Sequence, residues 1–321
     1  MQSFAARVKE ELSKEPGTAR HCQIAELAVL LGMLGVVSYD LRDRMTLKII
    51  TENLPVARKV FTLLSKTFKI LPEVSVRRRS KKQTSSYFIL VLKEEDILRI
   101  LKATKLLDKD RDELYRETLV NPVVIKSMCC RRSFLRGAFL AAGSMSNPGK
   151  GYHFEWVCSS YEGANQIKDV ISSFGLEAKS IQRKNTWIVY LKEGSSVVDI
   201  LNVMEAHVAL MELENVRILK EMRNTVNRKV NCEAANINKT VLAAVKQLED
   251  IRYLQEVMGL EKLPENLEEM ARVRLMHPNA SLKELGEYCL PPVGKSGINH
   301  RLRKLSEIAE KERKSAPGNA L

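Results

Sequence analysis

The alternation of apolar and polar positions divides the chain into two similar halves and a helical remainder. Ala25-Glu-Leu-Ala-Val-Leu-Leu-Gly-Met-Leu-Gly-Val-Val-Ser38 and Arg132-Ser-Phe-Leu-Arg-Gly-Ala-Phe-Leu-Ala-Ala-Gly-Ser144 are apolar on nearly every side, as buried helices are. The first is followed by a period-two run at 45–51, a helical run at 55–68, strand-like stretches at 73–77 and 87–92, and a helical run at 94–107. The second is followed by a strand at 152–158, a helix at 161–174, strands at 177–182 and 187–191, and a helix from 196. Each half thus reads α-β-α-β-β-α. Placing Gly32 on Gly137 sets the copies 105 residues apart, about the size of a small domain, and predicts an internal duplication.

From Val197 the periodicity is helical, interrupted by Asn224, Asn227, Asn231, Asn236 and Asn238. Clustered asparagine favours caps and turns, so 224–238 is expected to be a bend or linker between domains. Three further helical runs lie beyond Gly259. Residues 267–276 end at His277-Pro278, and Ser281 with Glu284 three positions later forms the pattern of a capping box. A turn containing Pro291, Pro292 and Gly294 leads into the last run, 295–308. A short capped helix, a turn and a basic helix outline a helix-turn-helix.

In that last run Ile298, Leu302, Leu305 and Ile308 form one apolar stripe, which leaves Ser296, Asn299, His300, Arg303 and Lys304 facing outward. Asn can pair with adenine and Arg with guanine, while Ser and Lys can hold phosphate oxygens. The candidate DNA-binding set is Ser281, Lys283, Lys295, Ser296, Asn299, His300, Arg301, Arg303 and Lys304. Gly294-Lys295-Ser296 mimics the end of a phosphate-binding P-loop, but Cys289 stands where that motif needs its first glycine.

Charge sharpens this reading. The 321 residues include 52 Lys and Arg against 39 Asp and Glu, a formal charge of +13, in an otherwise ordinary globular composition with 45% hydrophobic residues. Such an excess favours polyanionic partners. Five of the basic residues, Arg77, Arg78, Arg79, Lys81 and Lys82, join the last two strands of the first half. Arg183 and Lys184 occupy the equivalent hairpin of the second. All seven are candidate contacts to a DNA backbone. The apolar stretch 24–37 contains Glu26 and falls short of the roughly 20 residues that span a bilayer, so no membrane association is expected. The N-terminus has no apolar signal core, and a cytoplasmic, nucleoid-associated protein is expected. Six cysteines and five histidines show no C-x-x-C, H-x-x-x-H or H-E-x-x-H spacing; free thiols, no metal and no cofactor are expected.

Leu135-Arg-Gly-Ala-Phe-Leu-Ala-Ala-Gly-Ser144 resembles the LAGLIDADG helix of homing endonucleases. Together with Cys129-Cys-Arg-Arg-Ser-Phe-Leu-Arg-Gly-Ala-Phe-Leu140, the Asn-rich segment and the C-terminal helix-turn-helix, it gives nearly the whole chain a resemblance to the WhiA family of bacterial regulators. The resemblance implies an α+β chain: a duplicated LAGLIDADG-like saddle at 1–223, with repeats at about 20–110 and 127–223, an Asn-rich linker and helix at 224–258, and a helix-turn-helix domain similar to sigma-factor region 4 at 259–321. It further implies a transcription regulator of double-stranded promoter DNA with roles in cell division, chromosome segregation and sporulation, and with RNA polymerase or another regulator as a further partner. In the nucleases an acidic residue before the final glycine of each motif helps hold divalent metal. The matching positions here are Val37 and Ala142, neither of which can ligate a hard cation, so the saddle is expected to be inactive. An active endonuclease and a protein-interaction hub with incidental DNA affinity stand as the alternatives.

Overall fold

The computed structural model describes residues 2–14, 17, 19–39, 44–79, 84–107, 114–115 and 117–315. The chain divides into two compact units, Met1–Glu221 and Met222–Leu321.

The first unit opens with α1 (Phe4–Lys14), which buries Phe4, Val8 and Leu12 at helical spacing. The first half follows as α2 (Arg20–Leu34), β1 (Gly35–Tyr39), β2 (Met45–Thr51), α3 (Leu54–Phe68), β3 (Glu73–Arg79), β4 (Thr84–Val91) and α4 (Glu94–Ala103). The second half repeats that order as α5 (Met128–Ala142), β5 (Gly143–Met145), β6 (Phe154–Cys158), α6 (Tyr161–Ser172), β7 (Lys179–Arg183), β8 (Thr186–Leu191) and α7 (Gly194–Val203). Each half holds a four-stranded antiparallel sheet, ordered β1-β2-β4-β3 and β5-β6-β8-β7. The duplication is therefore present, but each half reads α-β-β-α-β-β-α. The strand missed by the sequence pattern follows the first helix directly. Gly35 and Gly143 end α2 and α5 in extended conformation, and the Val36-Val37 run continues as β1.

Helices α2 and α5 are both 15 residues long, which sets the structural offset between halves at 108 rather than 105 and pairs Gly35 with Gly143. They pack against each other in the centre of the unit. Gly137 is what permits the close approach, because a Cβ there would lie 2.5 Å from Val29 Cγ1 and 2.8 Å from the Glu26 carbonyl oxygen. Gly32 serves a different contact: a Cβ there would lie 2.3 Å from the Leu119 carbonyl. Alternate residues of β2 and β6 (Leu47, Ile49; Phe154, Trp156) turn into the core, where Phe154 stacks on Phe139 of α5 at a centroid distance of 4.7 Å.

Helix α8 (His207–Val257) runs unbroken through the segment expected to bend. No Gly or Pro occurs between its ends, and a solvent-facing Asn lowers helix stability by under about 1 kcal/mol, too little to break a helix supported on both flanks. In the first unit, the carboxylate of Glu11 accepts the Val208 and Ala209 N–H groups at 2.8 and 3.0 Å and so caps the start of α8.

The second unit completes the chain with α9 (Glu265–Met276), α10 (Leu282–Glu287) and α11 (Lys295–Ser315). Its core joins Ile251 and Leu254 of α8 to Leu267 and Met270 of α9, Leu285 of α10, and Ile298, Leu302 and Leu305 of α11.

Candidate nucleic-acid interface

In the second unit the start of α10 is fixed by its own side chains. The Ser281 hydroxyl accepts the Glu284 N–H at 3.3 Å, and the Glu284 carboxylate accepts the Ser281 N–H at 2.7 Å. These bonds hold the Glu284 carboxyl below the usual carboxylate range. Arg274, whose guanidinium pKa is lowered by burial, donates to the Ala280 carbonyl at 2.6 Å and ties the end of α9 to that cap.

The turn from α10 to α11 closes on Gly286, whose carbonyl accepts the Val293 N–H at 3.0 Å. A Cβ on Gly286 would lie 2.1 Å from the Val293 carbonyl oxygen, so no larger residue fits without moving the turn. The ring of His277, at the end of α9, stacks on that of Tyr288, which follows α10, at a centroid distance of 4.0 Å.

This framework sets the rotation of α11. Ile298, Leu302, Leu305 and Ala309 are buried, while Ile308 is only partly so. Lys295, Ser296, Asn299, His300, Arg303 and Lys304 are exposed, as is Lys283 on α10. Arg301 departs from the expected set. Its guanidinium lies 3.0 Å from Glu269 of α9, and the resulting ion pair draws it inward to hold α11 against α9. Ser281 is exposed, but its hydroxyl is engaged in the cap. Lys304 makes a 3.4 Å surface pair with Glu307.

In the first unit, Arg77 and Arg78 project from β3, and Arg183 and Lys184 lie at the β7–β8 turn; all four are exposed. The side chain of Arg79, and Lys81 and Lys82 entirely, lie outside the described residues. Strand register adds two cations that the loops did not reveal: Lys48 lies on the sheet face that carries Arg77, and Lys179 on the face that carries Arg183. Glu73 and Glu155 share those faces, so the sheets present a mixed surface with its basic side chains concentrated at the hairpins.

The positions that matter to nuclease chemistry are the residues before the glycines that end α2 and α5. With the offset of 108 these are Leu34 and Ala142, which corrects Val37, a residue of β1. Neither offers an oxygen ligand. Among the described residues, a group that could hold a metal lies at the other end of the same helices, where His21, Cys22, Cys129 and Cys130 converge. Burial first, then the hydrogen bond and charge of Cys129, push the Cys22 thiol up to about 12.

Comparison with known proteins agrees with this architecture along the whole chain. The WhiA N-terminal LAGLIDADG-like domain matches residues 20–107, the WhiA LAGLIDADG-like domain residues 131–223, and the WhiA C-terminal HTH domain residues 226–309. The chain belongs to the WhiA family. Among its relatives, the probable cell division protein WhiA of Lachnoclostridium phytofermentans is 50% identical over 96% of this chain and 98% of its own. The probable cell division protein WhiA of Alkaliphilus oremlandii is 46% identical over 96% of this chain and 97% of its own. The crystal structure of full-length DUF199/WhiA from Thermatoga maritima is similar at 27% identity and a TM-score of 0.58, over 97% of this chain and 99% of that one. WhiA membership makes the fold a duplicated LAGLIDADG-like region followed by a helix-turn-helix DNA-binding domain. Among the described residues no helix is long and apolar enough to cross a membrane.

Proposed function

We propose that this WhiA-family chain is a sequence-specific DNA-binding transcription regulator whose α11 enters the major groove. The observation that carries this reading is the division of α11: its apolar face is committed to the core, while Asn299, His300 and Arg303 with Lys295, Ser296 and Lys304 remain exposed on the other side. Asn and Arg supply the bidentate donors and acceptors that distinguish adenine and guanine, and the lysines and Ser296 near the start of α11 suit phosphate. The charges of Arg77, Arg78, Arg183 and Lys184, joined by Lys48 and Lys179, add sequence-independent attraction to the duplex backbone. Arg79, Lys81 and Lys82 extend the same basic run in sequence.

The domain division that accompanies this reading is a saddle over 1–223, a connecting segment over 224–258 and a reading domain over 259–321. The saddle binds without cutting, since Leu34 and Ala142 stand where a LAGLIDADG nuclease needs acids. The targets are promoters, and the regulated processes are cell division, chromosome segregation and sporulation, with the protein in the cytoplasm on the nucleoid. RNA polymerase or a second regulator is the natural protein partner of such a promoter-bound chain.

Mapping of bound sites across the genome, repeated with residues 222–321 deleted, tests this proposal. Discrete peaks upstream of genes that vanish on deletion support it; peaks unchanged by the deletion refute it.

A further inference from the structure

The offset of 108 exposes a relationship that spacing along the chain conceals. His21 falls on Cys129 and Cys22 on Cys130, the second and third residues of the two equivalent helices α2 and α5. Adjacent residues on a helix project about 100° apart, so one such pair cannot enclose an ion. Two pairs brought face to face by helix packing can. His21 Nδ1 lies 3.1 Å from Cys130 Sγ, 3.5 Å from Cys22 Sγ and 4.0 Å from Cys129 Sγ, and all four ligand atoms lie within 4.8 Å of one another.

We propose that His21, Cys22, Cys129 and Cys130 form a tetrahedral Cys3His site for a single zinc ion, which clasps the two halves of the saddle at the N-terminal ends of their central helices. Zinc bonds of about 2.3 Å to sulfur and about 2.0 Å to nitrogen place tetrahedral ligands roughly 3.5 to 3.8 Å apart. The three nitrogen–sulfur distances bracket that separation, and small rotations about χ1 bring the wider pairs to it. Ligands of a multi-iron cluster surround several atoms and stand farther apart, so the spacing favours one ion. The three-thiolate, one-imidazole donor set favours zinc over the hard cations, which take oxygen.

The surroundings fit a structural site. Cys22 and Cys130 are buried against Ala25, with Ala19 and Val124 packed beside them, which gives the site a dry inner wall. His21 and Cys129 are exposed and line an open cleft together with Cys22 and Ser133, so an ion has an access route. The N-termini of α2 and α5 meet at the site, where the positive ends of both helix dipoles oppose the burial that keeps the metal-free thiols protonated, and a bound zinc ion itself deprotonates its thiol ligands. Four protein ligands close the coordination sphere, so the ion's role is to hold structure and not to activate water. It sits about thirteen residues, roughly 20 Å of helix, from Leu34 and Ala142, and adds nothing at the degenerate nuclease positions.

The test uses the full chain, purified under reducing conditions and freed of any histidine tag, with metal content measured by mass spectrometry and cobalt exchanged for zinc. About one zinc per chain and the intense visible absorption of tetrahedral cobalt thiolate are expected. Cys129→Ser alters an exposed side chain and leaves the helix packing in place. It should lower bound zinc several-fold after dialysis against a chelator and weaken the cobalt charge-transfer band, with an unchanged far-ultraviolet circular dichroism spectrum. Cys232→Ser, an exposed cysteine on α8, should retain the metal in full. A reduced wild-type chain that takes up neither zinc nor cobalt would overturn the proposal. So would iron in place of zinc, a disulfide among Cys22, Cys129 and Cys130 in the purified chain, or full zinc retention in Cys129→Ser.

Discussion

Oε1 of Glu26 lies 3.1 Å from Nε of Arg136, a buried charge pair that joins the two central helices of the saddle. The same oxygen is 3.0 Å from Lys59 Nζ, which also donates to the Leu12 carbonyl at 2.9 Å. Arg136 reaches on to Glu205 at 2.6 Å and to the Ser133 hydroxyl at 3.2 Å. Burial opposes the Arg136 charge, but Glu26 and Glu205 outweigh it and raise its pKa above the usual value. One carboxylate thus anchors α2, α3 and α5. Glu26→Ala leaves two cations buried without it and should cost about 3–5 kcal/mol. The urea unfolding midpoint of the first unit checks this; an unchanged midpoint would show that the cluster contributes no stability.

Gly286 should tolerate no side chain. In Gly286→Ala the new Cβ meets the Val293 carbonyl, and the turn can relieve the clash only by displacing α11. A loss of about 1–3 kcal/mol from the C-terminal unit is expected. It should appear as faster amide hydrogen exchange in α10 and α11 with α2 and α5 unaffected. Equal protection in both proteins would contradict the turn geometry.

The cap of α10 carries a pH dependence. Because the folded pKa of Glu284 is depressed, its contribution is present above the carboxylate's unfolded range and is lost as pH falls through the folded pKa. Amides of α10 should therefore lose protection on acidification below that range. In Glu284→Ala the same amides should be less protected at neutral pH and lack this acid-dependent step. An identical pH profile in the variant would remove Glu284 as its source.

Without acids at Leu34 and Ala142, the chain should not nick supercoiled plasmid or promoter DNA with magnesium or manganese present, even at protein concentrations that saturate binding. Metal-dependent nicking that copurifies with the protein would reinstate the nuclease reading.

The parts of this architecture visible in sequence are those whose periodicity is set by burial. The apolar runs of α2 and α5 mark the duplication, and the stripe Ile298, Leu302, Leu305 with the Ser281–Glu284 cap marks the reading helix. What escaped depends on three-dimensional register. β1 and β5 are short and continue directly from helices, with a single extended glycine, Gly35 or Gly143, as the whole junction. An offset of 105 pairs Gly32 with Gly137, two glycines that serve different contacts, whereas only the offset of 108 matches His21-Cys22 with Cys129-Cys130. The asparagines of α8 suggest a bend by type, yet their separate costs are small beside the support of a helix free of Gly and Pro. Arg301 and Arg303 are equivalent by residue type, and only the position of Glu269 on α9, 3.0 Å from the Arg301 guanidinium, distinguishes them.

The central claim is that α11 reads bases. Competition binding at physiological salt, with a promoter fragment against random duplex of equal length, compares the wild type with Asn299→Ala/Arg303→Ala. Both residues are exposed, so the fold should survive. Loss of about 1–3 kcal/mol of discrimination for each residue that contacts a base, roughly tenfold or more in the specificity ratio, is the predicted result, with binding to random duplex much less affected. An unchanged specificity ratio in the double variant would contradict it.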